Sequence, residues 1–267
     1  MSGLTGALGA LRAGGGAGSP TFLWEMVLDI NFEEEDDQAL SAGNLTLTNL
    51  VTGELVVLAG QTVAVSGGAL VMTAAASSNF GVATPSTRTG AFLGADMDDL
   101  WPDFDGQPLR WGAEVAMAPT FDASNRGWGV FAENIVGLGG GNLGHGFSAE
   151  IRATGVGTAT RQSRTQADGS TSVAALSSAA WASGLVCGLG LDGRGPVGLW
   201  STTAGDAGEL DTLTAVGGVG AAGASSGGSP VQGVSRLGVF AVASGAGSFA
   251  VSIKRLVLWA RVARVAS

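Results

Sequence analysis

Residues 249–261 read F-A-V-S-I-K-R-L-V-L-W-A-R. Phe249, Val251 and Ile253 alternate with small or polar residues, and Val257 and Trp259 fall on the same parity. Alternation of period two predicts a long strand with one face on a core. A second such stretch lies near the other end of the chain. Residues 21–32, T-F-L-W-E-M-V-L-D-I-N-F, place Phe22, Trp24, Met26, Leu28 and Ile30 on one parity. The two predict neighbouring antiparallel strands, with Trp24 and Trp259 buried and one sandwich closed by its terminal strands.

Between them run short apolar-alternating segments punctuated by turn residues. Strands are predicted over 44–50, 54–59, 61–66, 69–75, 110–118, 127–133, 146–153, 159–166, 183–191, 197–202 and 236–243. Ser66-Gly67-Gly68, Asp168-Gly169, Asp192-Gly193 and Ser244-Gly245 supply residues that tolerate positive φ, and Asp168-Gly169 is the clearest hairpin turn. Residues 217–229 are Gly, Ala and Ser with little else and read as a long surface loop. The expected fold is all-β, an antiparallel β-sandwich over residues 21–267, preceded by a flexible arm at 1–20. In that arm Leu4, Leu8 and Leu11 share one face at helical spacing, tethered by a glycine run, as a docking segment that orders against a partner would be. A plain disordered tail has the same composition.

With 267 residues, 46 glycines, no tyrosine and 13% charged residues, the chain is poor in helix-forming material. A net charge of −9 with Lys254 as the one lysine argues against nucleic acid, which needs clustered cations on the phosphate backbone. No segment has the length and apolarity of a membrane span, and the N-terminus lacks the basic start and apolar core of a secretion signal. The single cysteine, Cys187, excludes an intrachain disulfide and sits in a run that reads as core.

The order of segments 63–74 (V-A-V-S-G-G-A-L-V-M-T-A), 109–119 (L-R-W-G-A-E-V-A-M-A-P), 128–131 and 249–259 resembles the concanavalin-like jelly roll. That group includes legume lectins, laminin-G and pentraxin modules, and several β-glucanases and lyases. The resemblance implies a lectin-type sandwich and brings two functional tests with it.

The first is for catalysis. Glycosidases of this fold carry Glu, Asp and Glu on one strand face, because a retaining mechanism uses two carboxyls about 5 Å apart. The nearest segment, F-S-A-E-I-R-A-T-G, has Glu150, but Arg152 stands at the Asp position and Thr154 or Gly155 at the second Glu. Glu114 and Glu133 lie on other predicted strands and would have to converge on Glu150 to replace the pair. His145 stands alone in a glycine-rich loop without a nucleophile elbow, and one His with one Cys builds no zinc site. No catalytic residues are assigned, and the chain is expected not to be an enzyme.

The second test is for a ligand. Asp96, Asp98, Asp99, Asp103 and Asp105 fall within D-M-D-D-L-W-P-D-F-D-G. The stretch has the oxygen density of a calcium site, which domains of the resembled fold often hold near the binding edge, and equally the composition of an acidic turn. Trp101 inside it, beside Asp103 and Asp105, has the makeup of a sugar-stacking platform, or of a plug at the end of the core. Calcium aside, no cofactor is expected.

Small residues on a β-sandwich, an acidic balance and an arm resemble the structural proteins of bacteriophage particles: capsid decoration proteins, head fibres and tail appendages. That resemblance implies a virion location, other virion proteins as partners, repeated copies on a particle and contact with host surface glycans. A free-standing glycan-binding module and a polysaccharide-active enzyme of the same fold are the other readings.

Overall fold

The computed structural model describes residues 21–39, 44–75, 89–93, 109–116, 126–133, 146–155, 158–167, 170–179, 186–191, 196–200, 215–218, 236–243 and 247–264. Leu4, Leu8 and Leu11 of the arm lie outside them. Strands β1 (Thr21–Asn31), β2 (Gln38–Ala39), β3 (Asn44–Thr48), β4 (Leu55–Gln61), β5 (Val63–Val65) and β6 (Leu70–Ala74) come first. They are followed by β7 (Thr89–Leu93), β8 (Leu109–Val115), β9 (Arg126–Glu133), β10 (Gly146–Gly155), β11 (Thr158–Ala167) and β12 (Ser170–Ala179). The last are β13 (Val186–Leu191), β14 (Pro196–Trp200), β15 (Ala215–Gly218), β16 (Arg236–Ala243) and β17 (Phe249–Arg264). Among the described residues one 3-10 turn, Phe32–Glu34, is the only helical element, and no helix is long and apolar enough to cross a membrane.

All pairings are antiparallel and form two sheets, the architecture of a jelly-roll β-sandwich. The nine-stranded sheet runs β15-β14-β13-β8-β17-β6-β5-β2, with β1 also on β17; the eight-stranded sheet runs β12-β11-β10-β9-β16-β7-β4-β3. β17 organises the first sheet. One of its edges carries β8, and the other carries β6 along its first half and β1 along its second. The terminal strands therefore do close the sheet. β11 and β12 pair from Ala167 opposite Ser170, as the predicted hairpin requires; its turn residues Asp168 and Gly169 lie outside the described residues. β15 takes in the start of the stretch read as a loop at 217–229.

The core lies between the sheets. Ile30, Leu47, Leu58, Met72, Trp111, Trp128, Val239, Ile253 and Leu258 belong to one cluster of fully or nearly fully buried side chains, and Cys187 joins it as expected. Trp111 also links the layers: its Nε1 donates to the Gly238 carbonyl at 2.9 Å. A buried donor needs an acceptor, and here it comes from the opposite sheet.

Polar side chains finish the edges. The Asn49 amide completes the free edge of β1, its Oδ1 accepting from Asp29 N and Val51 N and its Nδ2 donating to the Val27 carbonyl, each at 3.1 Å. Gln38 does the same for the outer edge of β3, donating to the Thr46 carbonyl at 2.8 Å and accepting from Thr46 N at 3.1 Å. Amide side chains satisfy backbone groups that would otherwise template another strand. Thr62 alone separates β4 from β5, and its φ of 56° turns the chain from one sheet into the other.

The expected single parity along each terminal strand fails, twice in the same way. Pairing shifts register between Met26 and Leu28 in β1 and between Ile253 and Arg255 in β17. Val27 and Lys254 are extra residues, and a bulge reverses which parity faces the core. In β17, Phe249, Val251 and Ile253 face inward before the bulge, whereas Leu256, Leu258 and Ala260 do so after it. In β1, Leu28 and Ile30 are buried while Trp24 and Met26 are not. Trp24 and Trp259 are consequently half-buried on the outer face rather than part of the core.

Candidate functional site: the outer face of the nine-stranded sheet

The two bulges place unlike residues side by side on this outer face. Across β1, β17 and β8, Met26 pairs with Trp259 and Trp259 with Arg110; one row further, Trp24 pairs with Arg261. Trp24 and Trp259 are thus diagonal neighbours, within reach of each other for large side chains. The Arg110 guanidinium reaches across to lie 4.9 Å from the centre of the Trp24 ring, a cation–π contact that fixes both side chains. Trp24, Met26, Arg110 and Trp259 are half-buried and Arg261 is exposed. The Trp259 indole nitrogen is buried without an acceptor among the described residues.

Toward the middle of β17 the same face becomes a charged ladder. Arg255 holds Asp29 through two bonds, Nε to Oδ1 at 2.7 Å and Nη2 to Oδ2 at 2.8 Å. Lys254, the bulged residue, stands 3.5 Å from Glu33 and 3.9 Å from Glu114. The bidentate geometry orients Arg255 firmly, while the lysine contacts are looser and more exposed. Val257 is buried on this outward side, between Arg255 and Trp259 along the strand. Gly112 lies opposite it on β8 and keeps the floor low.

This site was not singled out in the sequence. Its signal was present: Val27-Leu28 and Lys254-Arg255 break strict alternation, and Leu256, Leu258 and Ala260 offer a competing apolar parity. Trp101, Asp103 and Asp105, and the proposed calcium ligands Asp96, Asp98 and Asp99, lie outside the described residues, as does His145. Among the described residues no cluster of three or more His, Cys, Asp or Glu could hold a metal.

The three glutamates are divided between the two sheets. Glu114 is on β8 in the nine-stranded sheet, whereas Glu133 and Glu150 are on β9 and β10 in the other. Within that sheet Glu150 pairs with Gly129, and Glu133 pairs with Gly146, four positions away along the strand. The two-carboxylate arrangement is not assembled by this register.

No family model and no curated protein matches the chain. Among solved structures it is similar to the CBM2 module of the evolved Dit of Lactobacillus casei BL23 phage J-1, with 7% identity over 90% of this chain and 97% of that one, TM-score 0.46. It is similar to the Bacteroides ovatus xyloglucan-locus GH43B, with 12% identity over 89% of this chain and 39% of that one, TM-score 0.45. A prokaryotic β-1,3-1,4-glucanase (lichenase) from a mouse hindgut metagenome is a third, with 9% identity, 89% and 98% coverage, and TM-score 0.39.

Proposed function

We propose that the protein is a non-enzymatic, lectin-like binding module whose ligand is a glycan laid across the outer face of the nine-stranded sheet. The observation that carries this is the pair of bulges that turn Trp24 and Trp259 outward beside Arg110. Indole faces stack on the C–H faces of sugar rings, and planar guanidinium donors meet hydroxyl or carboxylate oxygens. Glu133 and Glu150 share a sheet but sit four positions apart along it, roughly 13 Å, and Glu114 is in the other sheet, which argues against the close carboxyl pair of a retaining hydrolase. In the finer reading the module belongs to a bacteriophage particle, displayed in repeated copies as a capsid decoration, head fibre or tail appendage, so that weak single sites gain avidity. That placement is supported by the acidic, small-residue composition and by the leucine-bearing arm at 1–20.

A glycan array probed with the full chain tests the binding role, followed by titration of the best polysaccharide with Trp24→Ala and Trp259→Ala. Each substitution should weaken binding by about tenfold or more, the loss of one stacked ring being about 1–3 kcal/mol by analogy with base stacking. Absence of glycan binding, or binding untouched by both substitutions, would overturn the assignment. Release of reducing sugar from any bound polysaccharide would replace it with the enzyme.

A further inference from the structure

At the rim of the sandwich, where β1 and β17 meet the turn between β3 and β4, a cleft is lined by Val27, Leu28, Leu55, Val56 and Leu258, together with Asn49, Thr52 and Glu54. Exposed apolar side chains adjoin it. Leu55 is 73% exposed, and Leu50 and Val51 of the adjoining turn are open as well. Scattered exposed leucines are ordinary, but a grouped set beside a cleft marks a docking surface.

We infer that this cleft is the seat of the chain's own residues 4–11. Two observations select that occupant. The first is reach: the described residues begin at Thr21, on the strand that forms the cleft wall. The strand from 21 to 27 covers about 20 Å, and residues 13–20, half of them glycine, span up to about 27 Å when extended, enough to fold back over that length. The second is complementarity. Leu4, Leu8 and Leu11 form one apolar face, and Arg12, the one charged side chain of residues 1–20, follows directly, while Glu54 is the charged residue of the cleft. A short flexible tether sets an effective concentration of about millimolar, so a segment too weak to bind from solution can still occupy a site on its own subunit. Gly3, Gly6 and Gly9 oppose helix formation in isolation, so ordering is coupled to contact. The seat keeps the three leucines and the exposed rim covered until another surface competes for the arm.

The test is a cross-link in the full chain at micromolar concentration, with Leu8→Cys and Leu55→Cys together under a mild oxidant. Cys187 is buried in the core and does not compete. The expected product is an intramolecular disulfide, migrating as a compact monomer, formed about tenfold faster than with Gly6→Cys in place of Leu8→Cys, because residue 6 lies across the helix from residue 8. Equal rates for the two pairs would mean a tether sampling the surface without a seat. A disulfide-linked dimer would assign the cleft to the arm of a second copy. Either result overturns the proposal, as does a chain carrying Leu8→Asp that binds no more of an apolar fluorescent dye than the unaltered one.

Discussion

The two outward faces of the sandwich are built from similar strands and end in opposite states. On the nine-stranded sheet, Trp24, Met26, Arg110 and Trp259 stand half-buried above a charged ladder. On the eight-stranded sheet, Phe131, Phe240 and Val242 form a second, separate cluster, all nearly fully buried although they alternate with the core residues Val130, Val239 and Ala241. The Phe131 and Phe240 rings lie 6.3 Å apart at 51°. One face reaches outward because bulges eject large residues from an otherwise regular pattern. The other is apolar on both sides of its strands, and a glycine makes room: a Cβ on Gly90 would collide with the Val239 carbonyl oxygen. Under the proposed function the half-buried aromatics beside arginine serve binding, whereas the buried aromatics among glycines serve stability.

The largest expected effect comes from the bulge itself. Deleting Lys254 removes the extra residue of β17, so Leu256, Leu258 and Ala260 exchange faces with Val257 and Trp259. Three core side chains and the pairing with both β1 and β8 depend on that register. No cooperative thermal transition should remain, as followed by near-ultraviolet circular dichroism. A deletion variant with native stability would mean that the bulge is incidental.

Next in size is the contrast between the faces. Phe240→Ala should cost about 3–5 kcal/mol in chemical denaturation, the range for a large aromatic lost from a packed site. Trp24→Ala should cost well under half as much, despite removing a larger ring, because its ring already meets solvent. Equal losses would erase the distinction between a binding face and a structural one. Gly90→Ala should follow at about 1–3 kcal/mol, since the obstruction is backbone rather than a side chain that can swing away. A neutral result there would show that β7 and β16 can separate without penalty.

Much of this fold could be read from the chain. Period-two runs located most strands, the Asp168-Gly169 turn defined a hairpin, and the pairing of the first and last long strands followed from their patterns. The missed strands have physical reasons. β12, S-T-S-V-A-A-L-S-S-A, and β15, A-V-G-G, are built of small residues that carry little alternation, β7, T-G-A-F-L, has its two large apolar residues in succession, and two-residue β2 carries no pattern. The candidate site was hidden for a different reason. A bulge is one additional residue in a strand, and its consequence is the face on which every later side chain appears. Trp259 reads as core when parity is counted from Phe249 and as surface when counted back from Ala260. Only the partner strand decides, by pairing Ile253 with Val115 and Arg255 with Glu114.

The smallest expected effect concerns the same position as the largest. Lys254→Ala keeps the residue count, and so the register, while removing the contacts to Glu33 and Glu114 at 3.5 and 3.9 Å. Both involve a side chain more than a third exposed, and screened ion pairs of this kind contribute about 0.2–1 kcal/mol. Glu114 is itself largely buried, which places the loss toward the upper part of that range. Salt should narrow the difference between the two proteins, because the term is electrostatic and only partly shielded from solvent. If the substitution were as damaging as the deletion, the ammonium group would be holding β17 in register and the bulge would follow from charge. If it costs under about 1 kcal/mol while the deletion unfolds the protein, the length of the strand sets the faces. Trp24 and Trp259 would then point outward because there is one residue too many for them to point in.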